Sequence, residues 1–153
     1  IPREIGNLRA LEDLDLSFNA LEGPIPPEIG QLTNLVNLQM VINRLSGPVP
    51  RELGNLSKLE HLGLADNQLT GPVPSELGNL AALRSLQIHY NQFEGGIPTS
   101  LGRLQNLEEL DLGNNLLTGN IPREITHHPG HFDALRNQLL SHIRAVLSRN
   151  PSD

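Results

Sequence analysis

The chain has no Cys, so any metal chemistry would have to rest on its 6 His and on its Asp and Glu residues. The densest group is His127, His128 and His131, followed by Asp133. Clustered imidazoles can bind zinc, which takes four N, S or O ligands in a tetrahedral set. Here one carboxylate is close by, and Pro129-Gly130 breaks any regular spacing between the rings, so the stretch reads as a junction loop. His61 and His89 stand in neighbouring repeats, four positions apart along the chain direction. That is roughly 13 Å at 3.3 Å per residue, too far for one ion. No Ser, His and acid come together when the repeats are aligned, and no glycine-rich phosphate loop ending in Gly-Lys-Ser/Thr is present. The reading is therefore of a protein that is not an enzyme, with no catalytic residue, no metal and no cofactor.

What remains is a surface that could hold a partner, and a repeat positions it. The stretch Leu56 to Asn79, LSKLEHLGLADNQLTGPVPSELGN, is one unit of a pattern written five times. Its frame, LxxLxxLxLxxNxLxGxIPxxLGx, opens at Leu8, Leu32, Leu56, Leu80 and Leu104 after a partial unit at 1–7. A fixed period of this length is the mark of a solenoid. The pattern resembles the leucine-rich repeat in its plant-type form, which carries the Gly-x-Ile/Val-Pro step seen here as GPIP, GPVP, GPVP, GGIP and GNIP. The resemblance implies an α/β-type solenoid. It is a curved right-handed coil with a parallel β-sheet on the concave face, and short second strands and 3-10 turns on the convex side.

The residues of one repeat support that reading. In His61-Leu62-Gly63-Leu64-Ala65 the leucines alternate with other residues, as in a short strand with one buried face. Asn19, Asn43, Asn67, Asn91 and Asn115 form the next column. The chain must turn inward there, and an amide side chain carries both donors and an acceptor for stranded backbone groups. Five in one column read as a structural ladder. Pro74 and its equivalents fix φ and remove a donor, so the convex side cannot be a long helix.

The outward positions vary while the frame does not. One column is Asp13, Asn37, His61, Ser85 and Glu109, and the next is Asp15, Gln39, Gly63, Gln87 and Asp111. A third is Ser17, Val41, Ala65, His89 and Gly113, and a fourth is Phe18, Ile42, Asp66, Tyr90 and Asn114. Aromatic and apolar groups exposed in a polar field are candidate anchors for a partner. Phe18, Ile42 and Tyr90, with Val41 beside them, are those candidates. Gln39, His61, Gln87, His89, Asp15, Asp66 and Asp111 complete the expected binding face.

The period fails after Ile125, where Thr126 replaces the expected Gly. The solenoid is thus assigned to 1–126. Over 127–153 the sequence suggests the junction loop and then an amphipathic helix, with Phe132, Leu135, Leu139, Ile143, Val146 and Leu147 on one side. Laying this helix over the fifth coil would cap the open end of the stack.

Composition bounds the partners. A net charge of −6 argues against a phosphate-binding surface, so no nucleic acid is expected. No apolar run is long enough to cross a membrane. The chain opens inside a repeat, which suggests a fragment of a larger signalling or recognition protein. The family's plant cell-surface members close their arrays with paired-Cys caps. A Cys-free chain leans to an intracellular multidomain parent, with a receptor ectodomain as the alternative. The function expected is non-catalytic binding of a protein or peptide on the concave sheet. A structural spacer is the rival, and ice binding comes last because the columns are irregular. Asn55-Leu56-Ser57 is a glycosylation sequon that falls on ordinary repeat positions.

Overall fold

Leucines recurring at fixed intervals have one way to leave water: each coil must lay its apolar residues on the coil before it. The computed structural model shows that arrangement and describes residues 1–127, 130–134 and 136–139. Each coil contributes a three-residue strand: β1 (Asp13–Asp15), β3 (Asn37–Gln39), β5 (His61–Gly63), β7 (Ser85–Gln87), β9 (Glu109–Asp111) and β11 (His131–Asp133). These pair in parallel, in chain order, as the concave sheet. A second parallel sheet runs from β2 (Glu22–Gly23) through β4 (Arg44–Pro48), β6 (Gln68–Pro72), β8 (Gln92–Gly96) and β10 (Leu116–Gly119) to β12 (Gln138–Leu139). Between successive coils lie 3-10 turns at Arg3–Asn7, Pro27–Gln31, Arg51–Asn55, Ser75–Asn79 and Thr99–Arg103. Each turn follows a proline in extended conformation.

The core is a column of leucines. Leu38, Leu62, Leu86 and Leu110 from the concave strands stack with Leu45, Leu69, Phe93 and Leu117 from the opposite side, all buried. Burying one such side chain is worth about 1.5–3 kcal/mol, and each coil makes its contacts only with its neighbours. The turns demand glycine for a steric reason. A Cβ on Gly30, Gly54 or Gly78 would lie 2.5 Å from the carbonyl oxygen of Glu52, Glu76 or Ser100 in the next turn. The next coil is stacked too closely for any side chain there.

The C-terminal end departs from the expectation. One short α-helix is present among the described residues, α1 at Arg123–Thr126, in the place of a sixth 3-10 turn. The helix expected to begin at Phe132 does not begin there. His131–Asp133 and Gln138–Leu139 are strands of a sixth coil, in register with β9 and β10. Phe132 and Leu139 do cover the fifth coil, as strand residues opposite Leu110 and Gly119. Leu135, Ile143, Val146 and Leu147 lie outside the described residues.

The physical reason is that the sixth coil is shorter. Strand partners are 24 residues apart up to β9, as Ser85 with Glu109, but Glu109 pairs with His131, 22 residues on. The ascending leucines that precede every earlier strand, such as Leu104 and Leu107, have no equivalents here. Gly130 permits the shortcut: a Cβ there would lie 2.6 Å from the carbonyl oxygen of Glu108.

Candidate functional site

The concave surface is built from two kinds of position. The first two columns, such as His61 and Gly63, lie on the strands themselves. The third and fourth, such as Ala65 and Asp66, lie just beyond them, where the chain turns inward. All members of the fourth column have left-handed backbone: φ is 57° at Phe18, 56° at Ile42, 55° at Asp66, 53° at Tyr90 and 52° at Asn114. This geometry aims each backbone N–H at the next coil. Phe18 donates to Val41 at 2.9 Å, Ile42 to Ala65 at 3.0 Å, Asp66 to His89 at 3.0 Å and Tyr90 to Gly113 at 3.1 Å.

Left-handed backbone costs an ordinary L-residue roughly 1–2 kcal/mol and is tolerated best by Asn and Asp. Asp66 and Asn114 therefore suit the position. Phe18, Ile42 and Tyr90 do not, and β-branched Ile42 suits it least. Local energetics do not account for those three side chains. Packing does not either, because Phe18 is 76%, Ile42 44% and Tyr90 49% exposed.

Behind this row stands the asparagine ladder. Asn67 Nδ2 donates to the carbonyls of Met40 at 2.9 Å and Leu64 at 3.1 Å, and its Oδ1 accepts from Leu45 N–H at 3.0 Å. Asn43, Asn91 and Asn115 repeat the pattern. Asn19 belongs to the first coil and is exposed, with donor bonds to Leu16 and Ser17. Sequence reasoning missed a sixth rung at Asn137, which donates to Leu112 at 2.9 Å and accepts from Leu117 at 2.9 Å. The signal was present, since Phe132, Ala134, Asn137 and Leu139 spell the LxLxxNxL frame with two substitutions and a two-residue offset.

Several of the expected polar contacts are occupied by the protein itself. Asp15 Oδ1 accepts from the Ser17 backbone N–H at 2.9 Å, and that bond, helped by the Ser17 hydroxyl, holds its carboxyl below the usual range. Asp111 Oδ1 accepts from the Gly113 backbone N–H at 3.0 Å. Gln39 lies across Gly63, where a Cβ would collide with its amide. Gln87 and Ser85 both donate to Glu109 Oε2, at 3.1 and 2.9 Å. His89 Nδ1 approaches Asp111 Oδ2 at 3.0 Å, and the His89 ring stands edge-on to Tyr90 with centroids 5.7 Å apart. The structure therefore brings His89, Tyr90 and Asp111 together. It leaves His61 and Asp66 exposed in the middle of the face, beside the small, buried Gly63 and Ala65.

The sixth coil adds His131, Asp133 and Arg136 to the columns. Asp133 stands in register with Asp111, and Arg136 donates to Asn114 at 3.4 Å. Among the described residues, no three His, Asp or Glu side chains are placed to hold a metal ion.

The model of the leucine-rich repeat region family matches residues 1–151. Solved structures give high similarity over 91% of the chain. One is the ectodomain of the plant membrane receptor kinase GASSHO1/SCHENGEN3 from Arabidopsis thaliana in complex with CASPARIAN STRIP INTEGRITY FACTOR 2, at 42% identity and a TM-score of 0.89. The plant peptide hormone receptor RGFR1 in complex with RGF2 follows at 40% identity and a TM-score of 0.89. A plant ice-binding protein matches at 34% identity and a TM-score of 0.85. The chain spans 17% of the first, 23% of the second and 46% of the third. A search of curated proteins gives no match.

Proposed function

Because the chain belongs to the leucine-rich repeat family, we propose that its concave face is a docking surface for a protein or peptide, anchored by Phe18, Ile42 and Tyr90. The observation that carries this reading is that row of exposed apolar side chains on left-handed backbone. The backbone cost of each is not offset by burial within the chain, and burial against a partner would offset it. A surface held by inter-coil hydrogen bonds also loses little freedom on binding. Similar structures that are receptor ectodomains in complex with peptide hormones support a peptide-sized partner.

A rival reading is an architectural spacer, which would tolerate any change on this face. Ice binding draws support from one similar structure. It would want a regular row of one small polar residue. On the second sheet the repeat-equivalent positions Glu22, Ser46, Thr70, Glu94 and Thr118 are mixed in type, and so are its paired residues, such as Glu22 with Arg44 and Thr70 with Gln92.

The deciding experiment is affinity capture from plant extract with the wild-type chain and with a Phe18→Ala, Ile42→Ala, Tyr90→Ala variant whose circular dichroism is unchanged. The expected outcome is a protein or peptide retained by the first and lost by the second. Equal retention would move recognition off this row, and no retention by either would favour the spacer. An ice-recrystallisation assay on the same two samples separates the third reading.

A further inference from the structure

The third 3-10 turn ends in a feature that neither the core nor the concave face uses. Asn55 is its last residue, Leu56 follows into the core at 0% exposure, and Ser57 comes next. Asn55 and Ser57 are both exposed. The backbone closes tightly between them, with Ser57 N–H donating to the Asn55 carbonyl at 2.9 Å. Among the described residues neither side chain enters a hydrogen bond, whereas the nearby Asn34 and Asn106 side chains are bound to the carbonyls of Arg9 and Ala81.

The other repeats provide an internal control. The equivalent triplets are Asn7-Leu8-Arg9, Gln31-Leu32-Thr33, Asn79-Leu80-Ala81 and Arg103-Leu104-Gln105. The frame demands only the central leucine, and the flanking positions are solvent-exposed in all five. Only the junction of the second and third repeats combines Asn with Ser in the Asn-x-Ser pattern of an N-glycosylation acceptor. The geometry points to Asn55 as an N-glycan acceptor when the chain is routed through the secretory pathway.

In that transfer, Asn55 Nδ2 attacks the anomeric carbon of a lipid-linked oligosaccharyl diphosphate. The C–N bond forms, the sugar–oxygen bond to the diphosphate breaks, and the lipid diphosphate leaves as the amide gives up a proton. The folded chain accommodates the product because Asn55 stands on the turn edge of the array, six residues before β5 and off the concave sheet. A bulky, solvated glycan there leaves the Phe18, Ile42 and Tyr90 row open. The inference does not depend on what that row binds.

The test is secretion of the whole chain, behind a cleavable signal peptide, from plant cells. The wild type is expected to migrate as a heavier band that collapses to one sharp band on treatment with PNGase A. Asn55→Gln and Ser57→Ala are each expected to remove the shift, and Ser57→Thr to keep it. Circular dichroism of secreted Asn55→Gln identical to that of the deglycosylated wild type shows that the lost shift is not misfolding. A secreted wild type with no glycosidase-sensitive shift overturns the assignment, and so does a shift that survives in Asn55→Gln.

Discussion

The third and sixth coils trace one path with different means. In the third, every frame position is filled: Leu56 and Leu59 on the ascending side, Leu62 on the strand and Leu64 just past it, Asn67 at the turn and Leu69 beyond, each leucine buried. The sixth keeps the strand, the Asn and the last leucine but has no ascending pair. Phe132 replaces the strand leucine and Ala134 the one after it. A small crevice, with about 10 Å³ open to a water-sized sphere, lies at this junction between Leu101, Leu107, Leu110, Ile125 and Phe132. The contrast separates what a coil needs in order to follow its neighbour from what it needs in order to support the next one. Inter-coil backbone bonds and an Asn suffice for the first. The ascending leucines and a bare glycine serve the second.

The sharpest way to break the comparison is through the glycine column. Gly78 lies beneath the carbonyl of Ser100, and any side chain there must push the next turn away. Thr126 occupies the same column position at the end of α1 and is exposed. Gly78→Val is therefore expected to destabilise the chain by about 3 kcal/mol or more, at the upper end of overpacking costs. Thr126→Gly should change stability by no more than about 1 kcal/mol, the cost of Gly in a helix. Urea denaturation followed by circular dichroism measures both. Equal losses would mean that the two turns are packed alike.

The asparagine ladder offers a smaller and more discriminating effect. Asn67 and Asn137 make similar bonds: Asn67 donates to the carbonyls of Met40, Leu64 and Ala65, Asn137 donates to those of Leu112 and Ala134, and each accepts one N–H. If the bonds alone decided stability, Asn67→Ala and Asn137→Ala would cost the same. In a stack where each coil contacts only its neighbours, a central break disconnects both halves and a terminal break frays one coil. Asn67→Ala is expected to cost about 2–3 kcal/mol through stranded buried backbone groups, and Asn137→Ala less than about half of that. Hydrogen exchange at the Leu45 and Leu117 amides, the two that these side chains accept from, reports the local openings directly.

The same two coils show how far the sequence could be read. The third is legible because its frame recurs at a strict period and each position has one physical job. The sixth was hidden by the two-residue deletion, which shifted its frame. Phe132, Leu135 and Leu139 also satisfy a helical period, and nothing local distinguishes that spacing from a strand whose Asn falls at 137. The site was legible in part. Exposure of Phe18, Ile42 and Tyr90 follows from their place in the frame. Their left-handed backbone does not, because it arises from N–H bonds to the next coil. Nor does the tying of Asp15 and Asp111 to their own turns announce itself, since an Asp two residues before an N–H is a commonplace of any sequence.

That last feature gives the smallest expected effect, and it distinguishes a charge held locally from a rung of the ladder. The Ser17 N–H bond lowers the folded-state pKa of Asp15 below its ordinary value. A carboxyl depressed on folding contributes stability that is present above the unfolded pKa, about 3.9, and lost as pH falls through the folded one. Asp15→Asn should therefore weaken the chain slightly at pH 7 and make no difference in acid strong enough to protonate the carboxyl in both the folded and the unfolded state. The deficit of Asn67→Ala carries no titrating group and should be the same at both pH values. Parallel urea titrations of wild type, Asp15→Asn and Asn67→Ala at the two pH values decide the matter. If the Asp15→Asn deficit persisted in acid, the role of Asp15 would be the shape of its turn, with no contribution from its charge.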